Sequence, residues 1–189
     1  MAVSLPEAAP KGGFRHTGEM LRYSGWHISV VKARFEDPEG SAFERDIVRH
    51  PGAVAVAPVT DSGTVLLVRQ YRGSVDELVL EIPAGTRDVP GEPPAATAAR
   101  ELAEEVGMTA SSWKFLAQVL NSPGFCDERT DLFLATGLRA CNTAREGPEE
   151  RHMEVVEVPL CDIASMIATG MLVDAQTITC LLLAVAHLA

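Results

Sequence analysis

A chain of 189 residues, 47% hydrophobic and 22% charged, has the size and composition of one ample folded domain, or of a core domain with a smaller element attached. Its formal charge of −10, from 16 Lys and Arg against 26 Asp and Glu, excludes a general nucleic-acid binder, and an anionic substrate would need metal ions or a few local arginines to reverse the field. No basic leader with an apolar core opens the sequence, the apolar tail 180–189 is too short to span a bilayer, and the four cysteines and five histidines lack C-x-x-C or zinc-type spacing, so a cytoplasmic protein with reduced thiols and no membrane partner is expected.

Residues 1–20 are rich in Pro, Gly and Ala and are expected to lack regular structure. Residues 26–35 alternate well enough for a strand, the turn residues 36–40 follow, and a second strand is expected around 43–50, which together make a β-hairpin. Pro51-Gly52 breaks the chain there, so an N-terminal extension with its hairpin (1–50) precedes a core domain (51–189). In the core domain, strands are expected at 53–59 and 64–71, joined by the turn Thr60-Asp-Ser-Gly63, and at 78–82. A short helix follows Pro83-Ala84-Gly85 and a polar spacer. Beyond it, strands at 113–120 and 130–135 flank the Gly/Pro loop 121–128, a polar loop covers 139–151, a strand covers 154–159, and 161–169 and 174–188 have helical period. The elements interleave without the regular β-α-β cadence or the G-x-G-x-x-G turn of a dinucleotide fold, so a mixed α/β sandwich fits them better.

The helix is the informative element. Ala95, Ala99, Leu102, Ala103 and Val106 recur at helical spacing and form its apolar face. Glu101, Glu104 and Glu105 share another face, where like charges cost roughly 0.2–0.5 kcal/mol per pair on an isolated helix. They also crowd the C-terminal end, beside a Gly107 cap, where the helix dipole disfavours negative charge. A solvated acidic face is one reading, and it predicts interleaved Lys or Arg, of which only Arg100 is at hand. A hard divalent cation with oxygen ligands is the other.

Segment 85–108, with Glu92, Arg100, Glu101, Leu102, Glu104, Glu105, Gly107 and Met108 in place, resembles the signature of the Nudix hydrolase family: Gly, a spacer, Glu, seven residues, then Arg-Glu-aliphatic-x-Glu-Glu-x-Gly-aliphatic. Six residues, where five are usual, separate Gly85 from Glu92, which alters the loop and leaves the carboxylates alone. Arg69-Gln-Tyr-Arg72, Glu81-Ile-Pro-Ala-Gly85 and Pro123 resemble the ADP-ribose pyrophosphatase branch, and the longer loop and the segment 122–128 resemble its actinobacterial members. The resemblance implies a Nudix-type α/β/α sandwich with a mixed sheet, plus the N-terminal hairpin.

It further implies magnesium, with manganese as a substitute. Glu101 and Glu105 are expected as principal ligands, Glu104 as a second-ion or water-bridging ligand, and the Ala84 carbonyl completes the set. Arg100 and Glu92 are expected to form an ion pair that sets the loop on the helix, with Arg100 also steadying the ligand carboxylates; Gly85 is expected to serve backbone conformation. In the family a late loop glutamate is the general base. One register puts it at Arg151, which cannot serve, and leaves Glu150, ahead of Glu149, as the candidate; alternatively the ion needs no separate protein base. Arg72 suits a phosphate clamp, against the plainer reading of a strand-end surface arginine. Trp26 and Phe43, with Glu44 beside them, occupy places resembling an adenine sandwich, against the plainer reading of core aromatics. On that resemblance the hairpin crosses to a second subunit and the protein is a homodimer. The implied reaction is hydrolysis of ADP-ribose or a similar nucleoside-diphosphate sugar to AMP and a sugar phosphate. The alternatives are another nucleotide substrate, a dinucleotide or oxidised nucleotide, or a catalytically silent nucleotide-binding regulatory module, which would be expected to have lost ligand carboxylates.

Overall fold

Three strands explain the core domain: β4 (Ala53–Pro58), β5 (Thr64–Arg72) and β9 (Arg129–Ala140). The inner parts of all three are nearly continuous apolar runs, the pattern of strands covered on both faces. Alternate residues go to opposite sides. Ala55, Ala57, Val65, Leu67, Leu132 and Leu134 enter one core, with Cys180, Leu181 and Ala184. Val54, Val56, Leu66, Val68, Phe133 and Ala135 enter another, with Ala98, Leu102 and Val106. Each fully buried Val or Leu contributes about 1.5–3 kcal/mol, so two such layers of side chains hold helices against both faces.

The computed structural model describes residues 12–145 and 147–189. These divide into two units, one of residues up to His50 with Ser122–Asp127, the other of Pro51–Asn121 with Glu128–Ala189. In the second unit one sheet has the order β10-β5-β6, with β6 at Glu77–Glu81 and β10 at Glu154–Pro159. The other has the order β7-β4-β9-β8, with β7 at Ala84–Thr86 and β8 at Met108–Leu120. β4 runs parallel to β9, and all other pairs are antiparallel, which makes the architecture mixed. Helix α1 (Pro94–Glu101) covers the second core, and α4 (Ala175–Leu188), capped by the Asp174 side chain accepting from Thr177 N (2.8 Å), covers the first. A one-turn α2 (Gly147–Arg151) and a short α3 (Ile163–Ala168) complete the unit. This is the expected α/β/α sandwich. No helix among the described residues is long and apolar enough to cross a membrane.

The first unit departs from expectation. It is an antiparallel sheet of three strands, β1 (Arg15–Ser24), β2 (Ser29–Glu36) and β3 (Ala42–Arg49), where a hairpin of two was expected. The expected structureless segment 1–20 therefore becomes a strand from Arg15 onward; its first eleven residues lie outside those described. β1 is an edge strand with every residue exposed except half-buried Gly18, so neither face imposes an apolar alternation; backbone pairing to β2 forms it, with the surface ion pairs Arg15–Glu36 and Glu19–Arg49 alongside. The segment Ser122–Asp127 joins this sheet through β3: Val48 N donates to Phe125 O (2.7 Å) and Asp127 N to Val48 O (3.1 Å). Asp127 also accepts from His50 N and Arg49 Nη1, both at 2.9 Å.

Candidate active site

The loop from β7 brings Glu92 to the start of α1, whose first residue is Pro94, a residue that needs no N–H there. The helix does not run on in α form to Gly107 as expected. Its last turn, Leu102–Val106, is π-helical and ends on Gly107 in the left-handed region (φ 71°). A side chain at Gly107 would also meet Thr143 Cγ2 at 2.9 Å, so both backbone angle and space require glycine.

On this frame the acidic residues converge around one guanidinium. Arg100 Nη1 lies 2.8 Å from Glu101 Oε1 and 2.9 Å from Glu104 Oε2, and Nη2 lies 3.5 Å from Glu92 Oε2. Glu92 also accepts from the hydroxyl of the fully buried Thr97 (2.9 Å). Glu105, 3% exposed, accepts from Ala84 N (3.1 Å), which ties the acid helix to the strand before it. Gly85 adds a steric requirement: a Cβ there would sit 2.0 Å from Glu101 Cδ and 2.1 Å from its Oε1. Its φ lies outside the left-handed region, so close approach, not the expected backbone conformation, demands glycine.

Burial shapes the protonation of this group. Desolvation, reinforced by the charge of Glu101, pushes Glu105 up to about 8. Desolvation likewise pushes Glu101 up to about 7, against the opposing pull of Arg100. For Arg100 burial works against the charged form, but Glu101 and Glu104 outweigh it and hold the guanidinium above its usual range. Carboxylates this costly to ionise fit a divalent cation, and every candidate donor is a hard oxygen. Among the described residues no three acidic, His or Cys side chains form a ready-made metal-holding group, because Glu101 and Glu104 both turn to Arg100 while Glu105 turns to Ala84.

An acid whose folded pKa is raised contributes stability at low pH and loses it as pH rises through the folded value. The protein in EDTA is expected to lose at least about 2–4 °C of thermal midpoint between pH 6 and pH 8.5 through Glu101 and Glu105. Added magnesium should raise the midpoint more at pH 8.5 than at pH 6. Thermal unfolding with and without the ion checks this, and an equal shift at both pH values contradicts it.

Arg72 and Glu150 flank the cluster. Arg72 Nε donates to Glu81 Oε2 (2.8 Å), a carboxylate 5% exposed and itself raised by burial, while the Arg72 charge is felt at Glu105. The Arg72 side chain makes no other hydrogen bond or ion pair among the described residues, so its terminal Nη groups remain as an open fork. The polar stretch 139–151, expected as a loop, instead continues β9 to Ala140 and forms α2. On α2 the half-buried Glu150 exerts its charge on both Glu101 and Glu105. Glu149 turns elsewhere, lining a cleft of about 340 Å³ with Tyr71, Leu78, Pro148 and His152.

Trp26, Phe43 and Glu44 belong to the first unit. Trp26 lies in the β1–β2 turn, 93% exposed, with His27 as its ring neighbour (6.0 Å). Phe43 stacks on Phe35 (5.3 Å) with Arg45 over its ring (4.9 Å), and Glu44 pairs with Arg34 (3.1 Å) and Lys32 (3.4 Å). Phe43 and Trp26 thus sit in different settings, one packed and one open. Two residues gained no role from sequence: Glu81, seen only as part of a motif, and Arg145. Arg145 bonds main-chain carbonyls, and a carbonyl leaves no mark in a sequence that could have signalled its partner.

Carboxylates clustered at a helix end, an arginine fork beside them and an acid-bearing turn alongside are the arrangement of cation-assisted chemistry on phosphates. The chain belongs to the Nudix family: the NUDIX domain profile matches residues 49–178. It is 41% identical over 155 residues to the ADP-ribose pyrophosphatase of Bacillus subtilis, which covers 82% of this chain and 83% of that protein. It is also 41% identical over 167 residues to the ADP-ribose pyrophosphatase of Mycobacterium tuberculosis, covering 86% and 81%. The crystal structure of an ADP compounds hydrolase shares its fold, with a TM-score of 0.81 at 21% identity over 99% of this chain and 97% of the other.

Proposed function

We propose that the protein is a magnesium-dependent hydrolase of ADP-ribose or a similar nucleoside-diphosphate sugar, which acts in the cytoplasm as a homodimer and yields AMP and a sugar phosphate. The chain is a Nudix pyrophosphohydrolase, and Nudix hydrolases generally need a divalent metal. The observation that carries the reading is the retention of all three carboxylates, Glu105 buried and Glu101 partly so, beside the open fork of Arg72. A regulatory module that only binds nucleotide has no need to bury such groups at this cost.

Glu101, Glu105, Glu104 and the Ala84 carbonyl would hold the ion. When bound, magnesium, or manganese in its place, neutralises non-bridging phosphate oxygens and helps to position a water. The chain's own groups do the rest. Arg72, anchored through Nε by Glu81, presents its remaining N–H groups to phosphate oxygens as a planar fork. Glu150, whose charge reaches Glu101 and Glu105, takes the proton of the attacking water as general base, and Glu149 is the second candidate. Water oxygen joins one phosphorus, the bridging oxygen leaves with the other, and the released proton passes to the base. Arg100 balances the acidic group and keeps Glu92 in place. The first unit would supply Trp26, Phe43 and Glu44 to the adenine, with its sheet crossing to a second copy.

The test is a panel of diphosphates with purified protein and magnesium, the products identified by mass. ADP-ribose is expected to give AMP and ribose 5-phosphate at a rate well above dinucleotides and oxidised nucleotides. A faster reaction on one of those moves the substrate class, and turnover of none revives the silent module.

A further inference from the structure

Arg145 stands where the chain leaves β9 for α2, and its contacts tie three places together. Its Nε donates to the main-chain carbonyl of Glu105 (2.9 Å) and its Nη1 to that of Met153 (2.7 Å). The residues before it follow the end of the acid helix: Cys141 N donates to Gly107 O (2.8 Å) and Ala144 N to Glu104 O (3.2 Å). These bonds satisfy carbonyls that a helix end otherwise leaves without partners.

Met153, 4% exposed, is part of the core beneath the acid helix and leads directly into β10. The connection from Arg145 to Met153 carries Glu149 and Glu150. One guanidinium therefore joins both ends of that connection to each other and to the backbone of Glu105. Its planar fork fixes angle as well as distance, which a lysine ammonium cannot do.

We propose that Arg145 is a positioning residue that holds Glu150 at the acidic cluster by clamping the connection that bears it to the main chain of Glu105. The proposal rests on the hydrolase reading above, in which Glu150 is the base. Arg145 touches neither substrate nor ion in that scheme; it acts through Glu150.

A double-mutant cycle tests it. Glu150→Gln and Arg145→Ala should each lower kcat on ADP-ribose by about 10²-fold with KM within about threefold. In the Arg145→Ala background, Glu150→Gln should cost less than about threefold more, because the base is already misplaced. Arg145→Lys should fall between wild type and Arg145→Ala, and free guanidinium should restore part of the Arg145→Ala activity. Multiplying effects, wild-type kcat in Arg145→Ala, or full activity in Glu150→Gln overturns the proposal. Amide exchange separates this failure from failure of the hydrolase reading. In Arg145→Ala, exchange across residues 147–152 should quicken at least about tenfold while the sheet amides keep their protection. If wild type hydrolyses no diphosphate, that exchange still decides whether the clamp exists, and unchanged exchange overturns it.

Discussion

Glu105→Gln is expected to lower kcat/KM on ADP-ribose by about 10³-fold or more, the loss of several kcal/mol of charge stabilisation, while the protein stays folded. Glu105 is the least exposed of the three acids, and its neighbour Ala84 N needs only an acceptor. A glutamine carbonyl supplies that acceptor with nearly the same shape, so the fold loses little. What it removes is the charge, which desolvation makes expensive at neutral pH. In EDTA at pH 8 the variant should therefore be at least as stable as wild type, and added magnesium should shift its thermal midpoint far less. Steady-state turnover and thermal unfolding on the same preparation check both halves. Activity near wild type would sink the assignment of Glu105 as a ligand, and a lost fold would show that its role is structural.

The parts of the molecule legible in sequence are those where burial writes a pattern. β4, β5 and β9 read as strands because both faces are covered, so Val54 to Ala57 and Leu66 to Val68 could be nothing but apolar. The acid helix read clearly because three glutamates with one arginine are a charge anomaly at that spacing. What escaped notice writes no such pattern. β1 is an exposed edge strand, held by backbone pairing to β2. Ser122–Asp127 joins β3 through main-chain bonds and the single Asp127 carboxylate, so little in a Gly/Pro loop announced a strand partner. The π-helical last turn is a backbone choice, and the same apolar spacing suits an α-turn nearly as well. Arg145 and Glu81 looked like ordinary charged residues, since one answers to carbonyls and the other to an arginine nine residues back. Sequence showed the chemistry of the cluster; the means by which its parts are held at fixed distances appeared only in three dimensions.

Gly85→Ala separates two explanations of a glycine, because a residue required for its backbone angle and one required for space fail differently. At Gly85 the φ is ordinary, so alanine strains no dihedral and should even narrow the unfolded ensemble slightly. The new methyl would lie 2.0 Å from Glu101 Cδ and 2.5 Å from its Cγ, far inside contact distance. Two groups could give way, the strand backbone of β7 or the Glu101 side chain. β7 is paired to β4 along its whole length, Ala84 to Thr86 against Ala55 to Ala53, whereas Glu101 is held by one bond to Arg100 and can turn about its own χ angles. The side chain yields first. Gly85→Ala is thus expected to keep its fold, with a thermal midpoint within about 4 °C of wild type, and to lose about 10²-fold or more in kcat, with a correspondingly raised magnesium requirement. Thermal unfolding and a magnesium titration of turnover measure the two effects side by side. A large fall in midpoint would assign the strain to β7, and unchanged turnover would mean that Glu101 need not lie against the loop at all.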